Sequence, residues 1–156
     1  MASNADVEKV IRIGGATASL ADSALSVPQL LEGGALDYLV FDYLAEGSMG
    51  IFGRMQAADP TAGYAAYFLT VHVGPHLEEI ARQKVKVVAN AGGVNPAGLA
   101  AALQALIKEK GLSLTVAYVE GDDLRDKADA LREAGHRDMF IDTEFPENIV
   151  SANAYL

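Results

Sequence analysis

Cysteine is absent from this 156-residue chain. That excludes a disulfide framework, a thiolate nucleophile and a cysteine-ligated zinc or iron–sulfur cluster. Basic residues are scarce: 12 Lys and Arg stand against 21 Asp and Glu, for a formal charge of −9. Such a surface repels phosphate backbones and anionic lipid over about a Debye length, so neither nucleic acid nor membrane is expected as a partner. No window of about 18 uncharged apolar residues occurs, and residues 1–9 are polar, without the apolar core of a leader peptide. A soluble cytoplasmic protein is the expectation. No internal repeat or Pro/Ser-rich linker divides the chain, and with 51% hydrophobic residues it reads as one globular domain over residues 1–156.

Short β-branched runs alternate with longer stretches of helical period, the pattern of a parallel sheet with crossover helices. The runs fall at residues 10–13, 36–41, 85–89 and 114–119, with a fifth candidate at 149–152. They predict an α/β fold: a three-layer, Rossmann-like open sheet, mostly parallel, of about five strands with helices on both faces. One helix is expected near residues 49–58 and another over 61–83, separated by Asp59-Pro60 and kinked at Gly74-Pro75. Asn95 before Pro96 predicts an N-cap with proline in the first turn, and Gly111 a stop for that helix. A further helix is expected to start near Leu124.

Ligands of open parallel sheets bind beyond the carboxyl ends of the strands. Gly14-Gly15 follows the first run, Asp42-Tyr43 and Glu46 the second, Asn90 and Gly92-Gly93 the third, Glu120 with Asp122-Asp123 the fourth, and Asn153 the fifth candidate. The glycine pairs could admit a ligand close to the backbone or serve only as turns. Gly14-Gly15-Ala16-Thr17-Ala18-Ser19 is neither a dinucleotide fingerprint nor a Walker loop, so NAD and nucleotide phosphates have no motif support. Asp42, Glu46 and Glu120 are candidate acid–base groups, and Gly14, Gly15, Tyr43, Asn90, Gly92, Gly93, Asp122 and Asn153 candidate ligand contacts. The carboxylates could together hold Mg²⁺. Each also has a structural explanation: Asp122 or Asp123 as a helix cap, Glu46 at a helix dipole, and Tyr43 in packing. His72 and His76 stand four apart, but Gly74-Pro75 between them breaks the register a metal pair would need, and zinc is not expected. His136 falls in a charged, solvated stretch, and no G-x-S-x-G elbow supports a hydrolase triad.

Taken in order, several segments resemble the N-terminal domain of the acyclic terpene utilisation AtuA family, formerly a domain of unknown function. They are Ile11-Arg12-Ile13-Gly14-Gly15-Ala16, Pro28-Gln29-Leu30-Leu31-Glu32-Gly33-Gly34, Leu36-Asp37-Tyr38-Leu39-Val40-Phe41-Asp42-Tyr43-Leu44-Ala45-Glu46, Val88-Ala89-Asn90-Ala91-Gly92-Gly93-Val94-Asn95-Pro96, Val119-Glu120-Gly121-Asp122-Asp123 and Ser151-Ala152-Asn153-Ala154-Tyr155-Leu156. The resemblance implies a role in bacterial catabolism of citronellol- and geraniol-type compounds through acyl-CoA intermediates. It also implies that the chain is the N-terminal portion of a longer domain. The resulting expectation is acid–base chemistry on a branched acid or acyl-CoA thioester. Its rivals are a non-catalytic binding or assembly subunit and an inactive truncated fragment; a last strand left without its crossover helix would favour self-association as a homo-oligomer.

Overall fold

Three strands, β1 (Ile13–Thr17), β2 (Tyr38–Phe41) and β3 (Lys86–Ala89), pair in parallel in the order β1-β2-β3, in a computed structural model that describes residues 10–154. Between and after them run five α-helices among the described residues: α1 (Ser26–Gly33), α2 (Glu46–Ala58), α3 (Leu77–Gln83), α4 (Pro96–Glu109) and α5 (Ala128–Glu133). None is long and apolar enough to cross a membrane. The α/β class is therefore as expected, with three strands in place of five.

The register aligns Gly14, Leu39 and Val87 in one rank and Gly15, Val40 and Val88 in the next. Side chains of successive strand residues point to opposite faces. Leu39, Phe41 and Ala16 lie on the face that helices cover, and all three are buried. On the other face Ile13 is 64% and Val88 53% exposed, and Lys86 lies over the Tyr38 ring. The expected layer of helices on that second face is missing among the described residues. The strand order gives the reason: right-handed crossovers that step the same way at each strand place their helices on one side.

Two expected strands are not formed. Residues 114–119 keep the alternation of a strand, with half-buried Leu114 and Val116 between exposed neighbours, but make no backbone hydrogen bond to β3. Hydrophobic period fixes which residues face inward and does not supply a partner edge. Residues 149–152 run past the chain as coil, and Asn153 makes a single antiparallel bridge to Asp123. The first strand lies later than expected, so Gly14 and Gly15 fall inside β1 and not in a turn after it. Leu30 and Leu36 pack so closely over Gly14 that a Cβ there would come within 3.0 Å of Leu36.

The helical breaks are as the sequence predicts. Asp59 is extended before Pro60. The stretch over 61–83 divides into a π-helical turn (Phe68–His72), a 3₁₀ turn (Gly74–His76) and α3. Gly74 lies against its own chain, where a Cβ would meet the Leu69 carbonyl at 1.9 Å. Asn95 caps α4, its Oδ1 accepting from the Gly98 amide at 2.9 Å, and Gly111 closes it at φ 66°. Asp123 Oδ1 accepts from the Arg125 amide at the 3₁₀ turn (Arg125–Lys127) that leads into α5.

Candidate functional site

The carboxyl ends of β1 and β2 meet through side chains. Register slips between Gly15 and Thr17, which lets both Ala16 and Thr17 turn inward. Thr17 Oγ1 donates to the Asp42 carbonyl and accepts from the Asp42 amide, both at 3.1 Å. One step further, Asn90 from the end of β3 closes the rim. Its Nδ2 donates to Asp42 Oδ1 at 2.7 Å, and its Oδ1 accepts from the Tyr43 amide at 2.8 Å. Three strand ends are thus tied together by Thr17, Asp42 and Asn90.

Beneath this rim Tyr43 is buried, a full core residue and not a half-exposed one. Its ring stacks parallel to Phe41, and Phe68 meets both edge-on. The hydroxyl lies 2.6 Å from His72 Nδ1. Burial pushes the Tyr43 phenol above its ordinary range; Thr17 pulls the other way, and the nearby Asp22 charge adds to the rise. The Tyr43 hydroxyl and His72 Nδ1 thus share one buried hydrogen bond, whose direction follows the imidazole tautomer. Nε2 is buried without a partner among the described residues. His76 is on the next turn and plays no part in this pair, as the Gly74-Pro75 break requires.

A cavity of about 670 Å³ opens beside β3, in the gap where residues 114–119 stand off the strand. Phe68, Val87, Leu99, Leu103 and Val116 line it, with Asn90, Gly92, Gly93, Glu120 and Asp122 as its polar or backbone-rich part. The volume lies in the range of small-molecule sites, and so does the mixture of apolar wall with a few polar groups. Asn153 reaches the same rim by donating from Nδ2 to Asp122 Oδ2 at 2.8 Å, while the Ala154 amide donates to the Asp122 carbonyl. Tyr155 and Leu156 lie outside the described residues.

Of the expected site residues, Asn90, Gly92, Gly93, Glu120 and Asp122 share this cavity. Asp42 and Tyr43 join it through Asn90, and Asn153 through Asp122. Gly14, Gly15 and Glu46 do not line it. Gly15 is on the open face of the sheet in rank with Val40, and Glu46 is the first residue of α2, where Ser48 and not a ligand answers the Ala45 amide. Glycine 93 has φ 53°, and a Cβ there would come within 2.6 Å of the Gly63 carbonyl and 2.7 Å of Phe52. Its turn role is thereby assigned, whatever else its backbone does. No three His, Asp or Glu come together as a metal-holding group among the described residues.

Sequence reading missed Thr17, taken as part of a glycine turn, and the partner of Tyr43. A π-helical turn often marks a functional position, but no sequence pattern announces one. Comparison with known proteins gives one finding: the model of the family described as acyclic terpene utilisation family protein AtuA matches residues 11–156. No curated protein and no solved structure matches the chain.

Proposed function

Because the chain belongs to the acyclic terpene utilisation AtuA family, we propose that it holds an acyclic terpenoid skeleton in the cavity beside β3, with Glu120 and the Asp42–Asn90 pair serving proton transfer at its polar end. The observation that carries the reading is the joining of an apolar wall, Val87, Leu99, Leu103 and Val116, to Glu120 and Asn90 on one cavity. A branched hydrocarbon chain binds such a wall by removal of its surface from water, at roughly 25 cal/mol per Å² before the losses of association. A carboxylate at the rim accepts a proton, and Asn90 fixes the second carboxylate, Asp42, by a 2.7 Å bond. The branched acid or acyl-CoA thioester of the sequence-based expectation enters as one class of such ligands, and the rim charge weighs against it.

The test is a cavity-filling substitution. The parent should rise in melting temperature with a branched ten-carbon terpenoid; Leu103→Trp places an indole in the space, and that rise should vanish while the fold is kept. A ligand shift of equal size in Leu103→Trp would remove the cavity from the reading. Unchanged conversion in both Asp42→Asn and Glu120→Gln would remove the acid–base assignment and leave binding alone.

A further inference from the structure

β3 ends the sheet with half of its backbone unanswered. In a parallel ladder the amides of alternate residues point to the same side. The Lys86 and Asn90 amides donate to the Asp37 and Phe41 carbonyls, toward β2. The Val87 and Ala89 amides therefore point away from β2 into the gap, where they meet no acceptor among the described residues. Across the gap, residues 114–119 keep the burial alternation of a strand, and their backbone also makes no hydrogen bond among the described residues. Two unpaired edges thus face one space, and an unpaired edge is a template for another strand.

The far edge is held off β3. Before it, the Leu112 amide donates to the Ile107 carbonyl of α4 at 3.0 Å; after it, the Ala154 amide donates to the Asp122 carbonyl at 2.8 Å. Leu114 and Val116 pack against the core between these ties. The space so kept open has the size of one strand. Four residues at about 3.3 Å each, with about 4.8 Å between strands and about 10 Å between layers, fill roughly 630 Å³; the gap holds about 670 Å³ beside the four residues of β3. Phe68, Leu99 and Leu103 form an apolar wall for alternate side chains, while the other face is open beside Val88 and Val119. Glu120 and Asp122 are the charged lining residues, and no Lys, Arg or His lines the gap among the described residues.

From the paired edges, the fitted volume and the acidic rim, we infer that the gap is a docking site for one extended segment of another protein. The segment pairs with β3 and with residues 114–119 at once. It carries apolar side chains at alternate positions and a Lys or Arg where it meets Glu120 and Asp122. Main-chain hydrogen bonds supply affinity, and the wall selects the side chains. The inference goes beyond the terpenoid reading and stands without it; a seated strand and a terpenoid exclude one another from the space.

The probe is the peptide Lys-Thr-Val-Thr-Val-Thr-Lys, acetylated and amidated at its ends, added to the full chain and followed by amide hydrogen exchange in NMR spectra. At about 1 mM peptide, the Val87 and Ala89 amides and alternate amides of residues 115–119 should exchange about tenfold more slowly or better. The same peptide N-methylated at both valines keeps every side chain and loses the donors of one edge, so its affinity should fall about tenfold or more. Glu120→Gln should lower affinity roughly threefold, the scale of an exposed ion pair. Leu103→Trp, which fills the gap, should abolish the protection. Unprotected Val87 and Ala89 amides at that concentration, an N-methylated peptide that binds as tightly, or undiminished protection in Leu103→Trp overturns the inference. The terpenoid reading has its own readout in the ligand-induced melting shift, which none of these results decides.

Discussion

Tyr43→Phe removes one oxygen from the centre of the molecule, and the structure sets what that costs. The phenol O–H is the one partner of His72 Nδ1 within hydrogen-bond distance among the described residues, and Nε2 of the same ring already has none. Deleting the hydroxyl leaves an imidazole buried at 0% exposure with both nitrogens unanswered. A buried polar atom left unpaired costs about 1–3 kcal/mol. Little cavity forms, since Phe41 and Phe68 hold the ring in place. The expected loss is about 2 kcal/mol, or roughly 4–8 °C in melting temperature for a domain of this size. His72→Phe alone takes the imidazole partner from the Tyr43 hydroxyl and leaves it Thr17. The double variant strands neither, so its loss should fall short of the sum of the two singles by about 1 kcal/mol or more. Urea unfolding of the four proteins measures the cycle. A Tyr43→Phe variant within about 0.5 kcal/mol of the parent, or additive singles, would refute the assigned pairing.

Gly93→Ala should cost about 2 kcal/mol or more, because a left-handed φ is combined with a methyl driven against the Gly63 carbonyl and the Phe52 ring; a melting curve within 1 °C of the parent would contradict it. Glu79 is held at about 2 by hydrogen bonds from Arg82 and Gln83. A carboxyl whose folded pKa is depressed contributes stability that is fully present above its unfolded value near 4.5 and is lost as pH falls toward 2. Glu79→Gln should thus be less stable than the parent at pH 6, with the gap closing by pH 2 in acid titrations followed by circular dichroism.

Much of this was legible from local chemistry. Asn95-Pro96, Gly111, Asp59-Pro60 and Gly74-Pro75 each act through backbone constraints confined to a few residues, and each lies where its residue types require. Pairing was less legible because it depends on residues far away. The alternation at 114–119 is present in burial without a strand partner. Gly14 and Gly15 carry the signature of a turn, yet small residues also serve where α1 presses on β1, and local sequence does not separate the two uses. In the site, Asn90 and Asp42 are legible because they follow apolar runs. His72 reads in the sequence only as half of a broken pair with His76, and its tie to Tyr43, 29 residues away, is a tertiary fact.

Strand order has a temporal meaning for a chain made from its amino end. β2 pairs with β1 and β3 with β2, so each strand's partner in the sheet precedes it in the chain. Each new rung docks on a neighbour already synthesised, so the growing nascent chain never waits for a later strand to be inserted between earlier ones. A segment late in the sequence sets its Val150 carbonyl over Gly53 of α2, where any Cβ would collide at 1.9 Å. Room for a segment late in the sequence is therefore made by the missing side chain of an early helix.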